Sequence, residues 1–204
     1  RARWAKNSWG GLSMCSWPGD RSRVGLGKLR VMLPKRKNEN VKTHFVAIGA
    51  NLPGPRGLPP IQICNMAIAA IAALPAVSFL IRSPWYSTGP IPASDQPRYL
   101  NGMVRFEAAL APETLLAALQ GIEAAFGRVR GEANAARSLD LDIVDSAGLI
   151  RNGPGLVLPH PRAHLRAFVL RPLRDVAPDW VHPIQGIPIN ALITALPPQD
   201  IRLA

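Results

Sequence analysis

The chain has 204 residues, 48% hydrophobic and 18% charged, a balance that fits one folded domain with a core, with or without a tail, and argues against a disordered chain. Cys15 and Cys64 are its only cysteines and have no metal-ligand spacing, which argues against a disulfide framework and suits a reducing cytoplasm. The formal charge of +11 asks for an anionic partner, nucleic acid or a phosphorylated small molecule, but residues 1–31 hold seven basic side chains against Asp20 alone and supply about half of it.

Residues 1–40 show no sustained apolar period, so a basic, disordered extension is expected there, with the folded domain over 41–204. No apolar run of about 7–15 residues follows the charges, which argues against a secretory signal. The segment imitates an organellar transit peptide, but a true start at Met32 is the favoured reading. Gly25-Leu26-Gly27-Lys28 fails the phosphate-loop pattern, because Ser22 and Leu29 stand at its required Gly and Ser/Thr positions.

Residues 43–48 read as a buried first strand, and 49–52 as the turn that ends it. After a Pro- and Gly-rich loop over 53–60, positions 61, 64, 68 and 71 recur at helical spacing until Pro75. The apolar run over 66–81 suggests a membrane span, but Pro75 divides it and 77–81 changes to strand composition. A buried helix and then a buried strand are expected instead. Residues 83–92 form a Pro-punctuated loop. A strand over 99–108 follows, with Leu100, Val104 and Phe106 on one face and Tyr99, Asn101, Met103 and Arg105 on the other.

Pro112 opens a second helix and Gly127 ends it; its apolar stripe is Leu115, Leu119, Ile122 and Phe126. A last strand contains Asp140 and Asp142. The order β-α-β-β-α-β is the split arrangement of ferredoxin-like α+β folds. Short helices and a hairpin, limited by seven prolines, are expected over 148–196.

Chemistry concentrates in Arg137-Ser138-Leu139-Asp140-Leu141-Asp142-Ile143-Val144. On a strand, Asp140 and Asp142 share one face, while Leu139, Leu141 and Ile143 point to the other, toward a core. Two adjacent carboxylates repel unless a cation lies between them, and Mg²⁺ is typically held by one or two carboxylates, with water and phosphate oxygens completing its shell. Arg128, Arg130 and Arg137 flank the preceding loop, as a polyphosphate would require. Tyr99 beside Asn101 suits stacking on a planar ring and reading its edge.

In order, Ala47-Ile48-Gly49-Ala50-Asn51-Leu52, Tyr86-Ser87-Thr88-Gly89-Pro90, Gln96-Pro97-Arg98-Tyr99-Leu100-Asn101, Ile122-Glu123 with Gly127-Arg128-Val129-Arg130, the Asp segment and Pro159-His160-Pro161-Arg162 resemble the 6-hydroxymethyl-7,8-dihydropterin pyrophosphokinase family. The resemblance spans about residues 46–186. It implies an enzyme of folate synthesis that moves the terminal two phosphates of ATP to the pterin hydroxymethyl oxygen and releases AMP.

By position, the resemblance assigns two Mg²⁺ ions to Asp140 and Asp142, which together with Arg128 and Arg137 would form the catalytic set. It puts Arg128, Arg130, Arg137, His160 and Arg166 at the ATP phosphates, with Gln120, Glu123 and Ile143 near the nucleotide. Tyr99 and Phe168 would sandwich the pterin, and Asn101 with backbone groups at Thr88 and Ile91 would read its edge. The expected partners are the two substrates alone, without nucleic acid or membrane. A monomer is expected, able to touch other folate-pathway enzymes.

Three departures stand out. Asn134-Ala135-Ala136 replaces the family's Gly-Pro and preceding aromatic, in a loop one residue shorter from Arg130, so altered closure or slower turnover is expected. Ala50 replaces a common serine, and Gly155 stands where some members have a basic residue. An RNA-binding module of the same element order lacks its required aromatic pattern at 44–48 and 99–103. A metal-dependent phosphohydrolase using the same Asp pair is the remaining alternative.

Overall fold

The computed structural model describes residues 30–32, 41–128 and 136–204. The expected extension over 1–40 therefore lies outside the described residues, apart from Arg30–Met32. Strands β1 (Arg30–Met32), β2 (Lys42–Ala50), β3 (Val77–Arg82), β4 (Tyr86–Thr88), β5 (Tyr99–Ala108) and β6 (Asp140–Ser146) belong to one antiparallel sheet. A hairpin follows, formed by β7 (Arg151–Gly153) and β8 (Leu156–Leu158), and β9 (Ile201–Leu203) returns to the sheet. The main order is β1-β3-β5-β2-β6, while β4 pairs with the opposite end of β5 and β9 pairs with β4. The helices are α1 (Pro60–Ala72), α2 (Pro112–Ala125), α3 (Ala167–Val176) and α4 (Ile189–Ala195).

Strand alternation divides the apolar side chains between two cores. Val46, Ile48, Val104, Phe106, Leu141 and Ile143 join Ile63, Ile71, Leu115 and Leu119 from α1 and α2 on one face. Phe45, Met103 and Val144 join Leu170, Leu173, Trp180 and Leu192 on the other. Val144 breaks the alternation because β6 shifts register against β2 between Phe45 and Val46, leaving it as the unpaired residue of a β-bulge.

The face of α1 differs from the expected stripe. Cys64 and Ile71 are buried, but Ile63 and Ala67 join them, whereas Ile61 is exposed and Ile68 only half-buried. Ile63, Cys64, Ala67 and Ile71 recur at intervals of three and four and form one helical stripe, turned from the expected one so that Ile63 rather than Ile61 joins the core. The loop expected over 83–92 contains β4, whose three residues pair with β5 on one side and β9 on the other. Proline spacing also understates α3, which continues through Pro172. That proline cannot donate to the carbonyl of Phe168, but the helix retains its burial against the second core.

Gly102 on β5 has a packing reason to lack a side chain. A Cβ there would lie 2.6 Å from the Trp85 ring. Among the described residues, no helix is long and apolar enough to cross a membrane.

Candidate active site

On the α3 face of the sheet, a cavity of about 540 Å³ gathers groups from five parts of the chain. β2 contributes Gly49, β5 contributes Tyr99 and Asn101, and β6 contributes Asp140 and Asp142. Thr88 and Ile91 come from β4 and the turn after it, while His160, Arg162, Arg166 and Phe168 come from the segment entering α3. Leu139, Leu141 and Ile143 point into the opposite core, as strand alternation requires.

At the acidic end, Asp140 Oδ1 accepts from Arg128 Nη1 at 2.6 Å and from Arg137 Nη1 at 2.9 Å. Arg128 also pairs with Glu123, whose Oε1 accepts the Leu141 N–H at 2.7 Å. Burial raises the Glu123 pKa, while these partners favour its charged form. Asp142 has no comparable cation: burial, then its neighbour Asp140, push it up to about 6. The pair sits on one strand face, with Asp140 met by two guanidinium groups and Asp142 still raised despite opposing contributions from Arg128, Arg166 and Arg137. Among the described residues, no group of three or more His, Cys, Asp or Glu converges, but Mg²⁺ does not require one when phosphate oxygens and water complete its shell.

His160 approaches the same acids, with Nε2 4.0 Å from Asp142 Oδ2. Its backbone N–H donates to Val144 at 2.9 Å, and its Nδ1 accepts from the Arg162 N–H at 3.2 Å. Burial, then Arg166 and Arg162, lower its pKa to about 4, so near neutral pH the ring is uncharged. With Nδ1 accepting, the proton lies on Nε2, directed toward the carboxylate end of the cavity.

The other end presents two aromatic rings and a side-chain amide, from Tyr99, Phe168 and Asn101. Asn101 Nδ2 donates to Thr88 Oγ1 at 2.7 Å, which aims a buried amide into the cavity. A Cβ at Gly49 would lie 3.2 Å from Asn101 Oδ1, so glycine keeps that oxygen accessible. Tyr99 donates to Gln96 Oε1 at 2.8 Å, and Phe168 lines the wall from α3. The Arg166 guanidinium lies 5.4 Å over the Phe168 ring.

Asn51 holds the two ends together. Its Nδ2 donates to Gln96 Oε1 and to the Pro97 carbonyl, each at 3.2 Å, and its Oδ1 accepts the Arg137 N–H at 2.9 Å. Sequence reading placed Asn51 in a motif but assigned it no role. Arg162, Gln96 and Ser94 also line the cavity without having been assigned to the site. A basic residue just after a Pro-His step was the available signal for Arg162.

Not every expected residue reaches the cavity. Gln120 lies half-buried on α2, and Glu123 sits beneath Arg128 rather than at the surface of the site. The Ile143 side chain belongs to the core. Arg130 and the altered loop at 129–135 lie outside the described residues. Gly155 occupies the β7–β8 turn at φ +92°, a conformation that strains any basic L-residue placed there.

Residues 45–178 match the family model for 7,8-dihydro-6-hydroxymethylpterin-pyrophosphokinase (HPPK). The chain belongs to the HPPK family. It is 40% identical over 158 residues to the 2-amino-4-hydroxy-6-hydroxymethyldihydropteridine pyrophosphokinase of Pseudomonas aeruginosa, covering 78% of this chain and 94% of that protein. A similar protein, the folic acid synthesis protein fol1 of Schizosaccharomyces pombe, is 33% identical over 86% of this chain, which spans only 23% of its length. Among solved structures, a triple-mutant HPPK-DHPS of Plasmodium falciparum has the same fold, with a TM-score of 0.60 and 12% identity over 78% of this chain and 44% of that one. An HPPK fold therefore carries the cavity described above.

Proposed function

We propose that this HPPK-family chain transfers pyrophosphate from ATP to the hydroxymethyl group of 6-hydroxymethyl-7,8-dihydropterin, releasing AMP, in folate synthesis. The observation that carries this reading is the composition of one cavity. Its acidic and guanidinium end, formed by Asp140, Asp142, Arg128, Arg137 and Arg166, is continuous with an aromatic and amide end formed by Tyr99, Phe168 and Asn101. A polyphosphate fits the first and a flat heterocycle fits the second.

The reaction forms a bond between the pterin hydroxymethyl oxygen, which loses its proton, and the β-phosphorus, and breaks the bond from that phosphorus to the α–β bridging oxygen, which leaves with AMP. Such transfers ask mainly for positioning and neutralisation of charge. Tyr99 and Phe168 hold the ring, while Asn101 and backbone groups near Thr88 and Ile91 read its edge. Arg128, Arg137 and Arg166 offset charge on the phosphates, and Arg130 belongs to the same set. Neutral His160 donates from Nε2 to phosphate oxygen. Gln120, Glu123 and the Ile143 backbone belong to the nucleotide side, Glu123 acting by orienting Arg128.

Asp140 and Asp142 fit a pair of Mg²⁺ ions: both line the cavity, and Asp142, raised first by burial and then by the charge of Asp140, would be held in its charged form by a bound cation. When bound, those ions supply charge neutralisation and alignment of the phosphate oxygens. The sheet is read as ferredoxin-like, since the path β3-β5-β2-β6 with α1 and α2 on one face matches that arrangement once the additional strands are set aside. A cytoplasmic monomer that touches other folate enzymes completes the reading. The two-part name of the HPPK-DHPS protein of Plasmodium falciparum supports such contact.

Measuring AMP released from ATP, with and without the hydroxymethylpterin, tests the proposal. Pterin-dependent AMP release is expected. Equal release without pterin would instead identify a phosphohydrolase.

A further inference from the structure

After α4 the chain runs beside the cavity and grips two of its walls. On one side, β9 pairs with β4, placing Ile201 opposite Thr88 and Leu203 opposite Tyr86. The Asp200 carbonyl accepts the Gly89 N–H at 3.3 Å, and the Asp200 carboxylate pairs with Arg98, which also donates to the hydroxyl and carbonyl of Ser87. On the other side, Gln199 Oε1 accepts the Ala167 N–H at 2.9 Å, while its Nε2 donates to the Leu165 carbonyl at 3.0 Å.

Those two backbone groups lie on either side of Arg166. Ala167 is the first residue of α3, so its N–H has no partner within the helix, and the Arg166 side chain does not cap it. A carboxamide is a neutral group that supplies an acceptor and a donor from one plane, matching an N–H and a C=O two residues apart. Gln199 does not itself line the cavity, so it can affect substrates only through what it holds.

We propose that Gln199 is a positioning residue: it fixes the backbone on both sides of Arg166, presenting that guanidinium to the phosphates of ATP. The role rests on the reading of Arg166 as a phosphate ligand. Freed from Gln199, the 165–167 segment would have to be ordered when ATP binds, and that ordering cost falls on nucleotide affinity. Pterin contacts depend less on Gln199, because Phe168 itself packs against the second core and its neighbours Val169 and Leu170 are buried in it.

The test compares Gln199→Met, similar in length but unable to make both bonds, with Arg166→Ala in the full chain. Binding of a non-hydrolysable ATP analogue and of the hydroxymethylpterin is measured by calorimetry, alongside Tm. Gln199→Met should raise the analogue Kd about tenfold, the scale of one to two net hydrogen bonds, while changing the pterin Kd less than about twofold. Its Tm should fall by no more than about 5 °C. Unchanged analogue affinity in Gln199→Met, with weakened binding in Arg166→Ala, would overturn the positioning role alone. Unchanged affinity in Arg166→Ala would overturn the phosphate-ligand reading beneath it. Equal losses for both ligands in Gln199→Met would mark a purely structural residue and also overturn the proposal.

Discussion

Asp140 and Asp142 occupy equivalent places on one strand face, yet their surroundings separate them. Asp140 is met by two guanidinium groups, whereas Asp142 faces a neutral histidine and is pushed toward protonation. Replacing either with Ala should lower the rate of AMP release by at least about a hundredfold, given the scale of transition-state charge stabilisation. Circular dichroism should remain native, because neither side chain belongs to a core. Near-normal turnover in either variant would remove these acids from the mechanism.

A different kind of titration is built into His44. This ring is fully buried, stacks 5.3 Å from Phe106, and bonds Ser146 Oγ at 2.9 Å and the Ala108 carbonyl at 3.4 Å. Burial depresses its pKa below the usual 6.5. Between the depressed value and 6.5 the unfolded chain takes up a proton that the folded chain refuses. Stability is therefore fully present above 6.5 and is lost as the pH falls through that window. Urea midpoints taken at about pH 7.5 and about pH 5 should differ less in His44→Gln than in the parent protein. An equal difference would show that His44 does not contribute.

At the scale of elements, β5 does the most to define the site. It is central in the sheet, pairing with β2 and β3 and then with β4, and its alternation sends Val104 and Phe106 to one core and Tyr99 and Asn101 to the cavity. Its approach to Trp85 depends on Gly102. Gly102→Ala should destabilise the protein by about 1–3 kcal/mol through overpacking, seen as a lower Tm. A compensating smaller residue at position 85 should recover part of that loss. β5 was readable because ten residues of alternating character meet no competing period. β4 was not, since three residues between prolines become a strand only when β5 and β9 lie on both sides.

For the whole molecule, the proposed substrate cavity lies between the sheet and the segment leading into α3, so a ligand bound there would join parts that are far apart in sequence. A ligand that binds only the folded state stabilises it by mass action, about 2.7 kcal/mol at a hundred times its Kd. The ATP analogue and the pterin, each near that excess, should each raise Tm by roughly 5–10 °C. A pterin that leaves Tm unchanged at such concentrations would contradict its assignment to this cavity.

Local pattern in the chain determined the principal strands and both long helices, the face on which the two acids lie, and membership of a pterin pyrophosphokinase-like family. Those features follow from periodicity and short motifs, which depend on neighbours in sequence. Only tertiary structure decided that Asn51 ties Gln96 to Arg137, that Glu123 supports Arg128 from below, and that Gln199 reaches back to Leu165 and Ala167. Each of these is a polar contact across a turn or between distant segments. Hydrogen-bond partners of that kind leave no period in the chain, because what selects them is the proximity that folding creates.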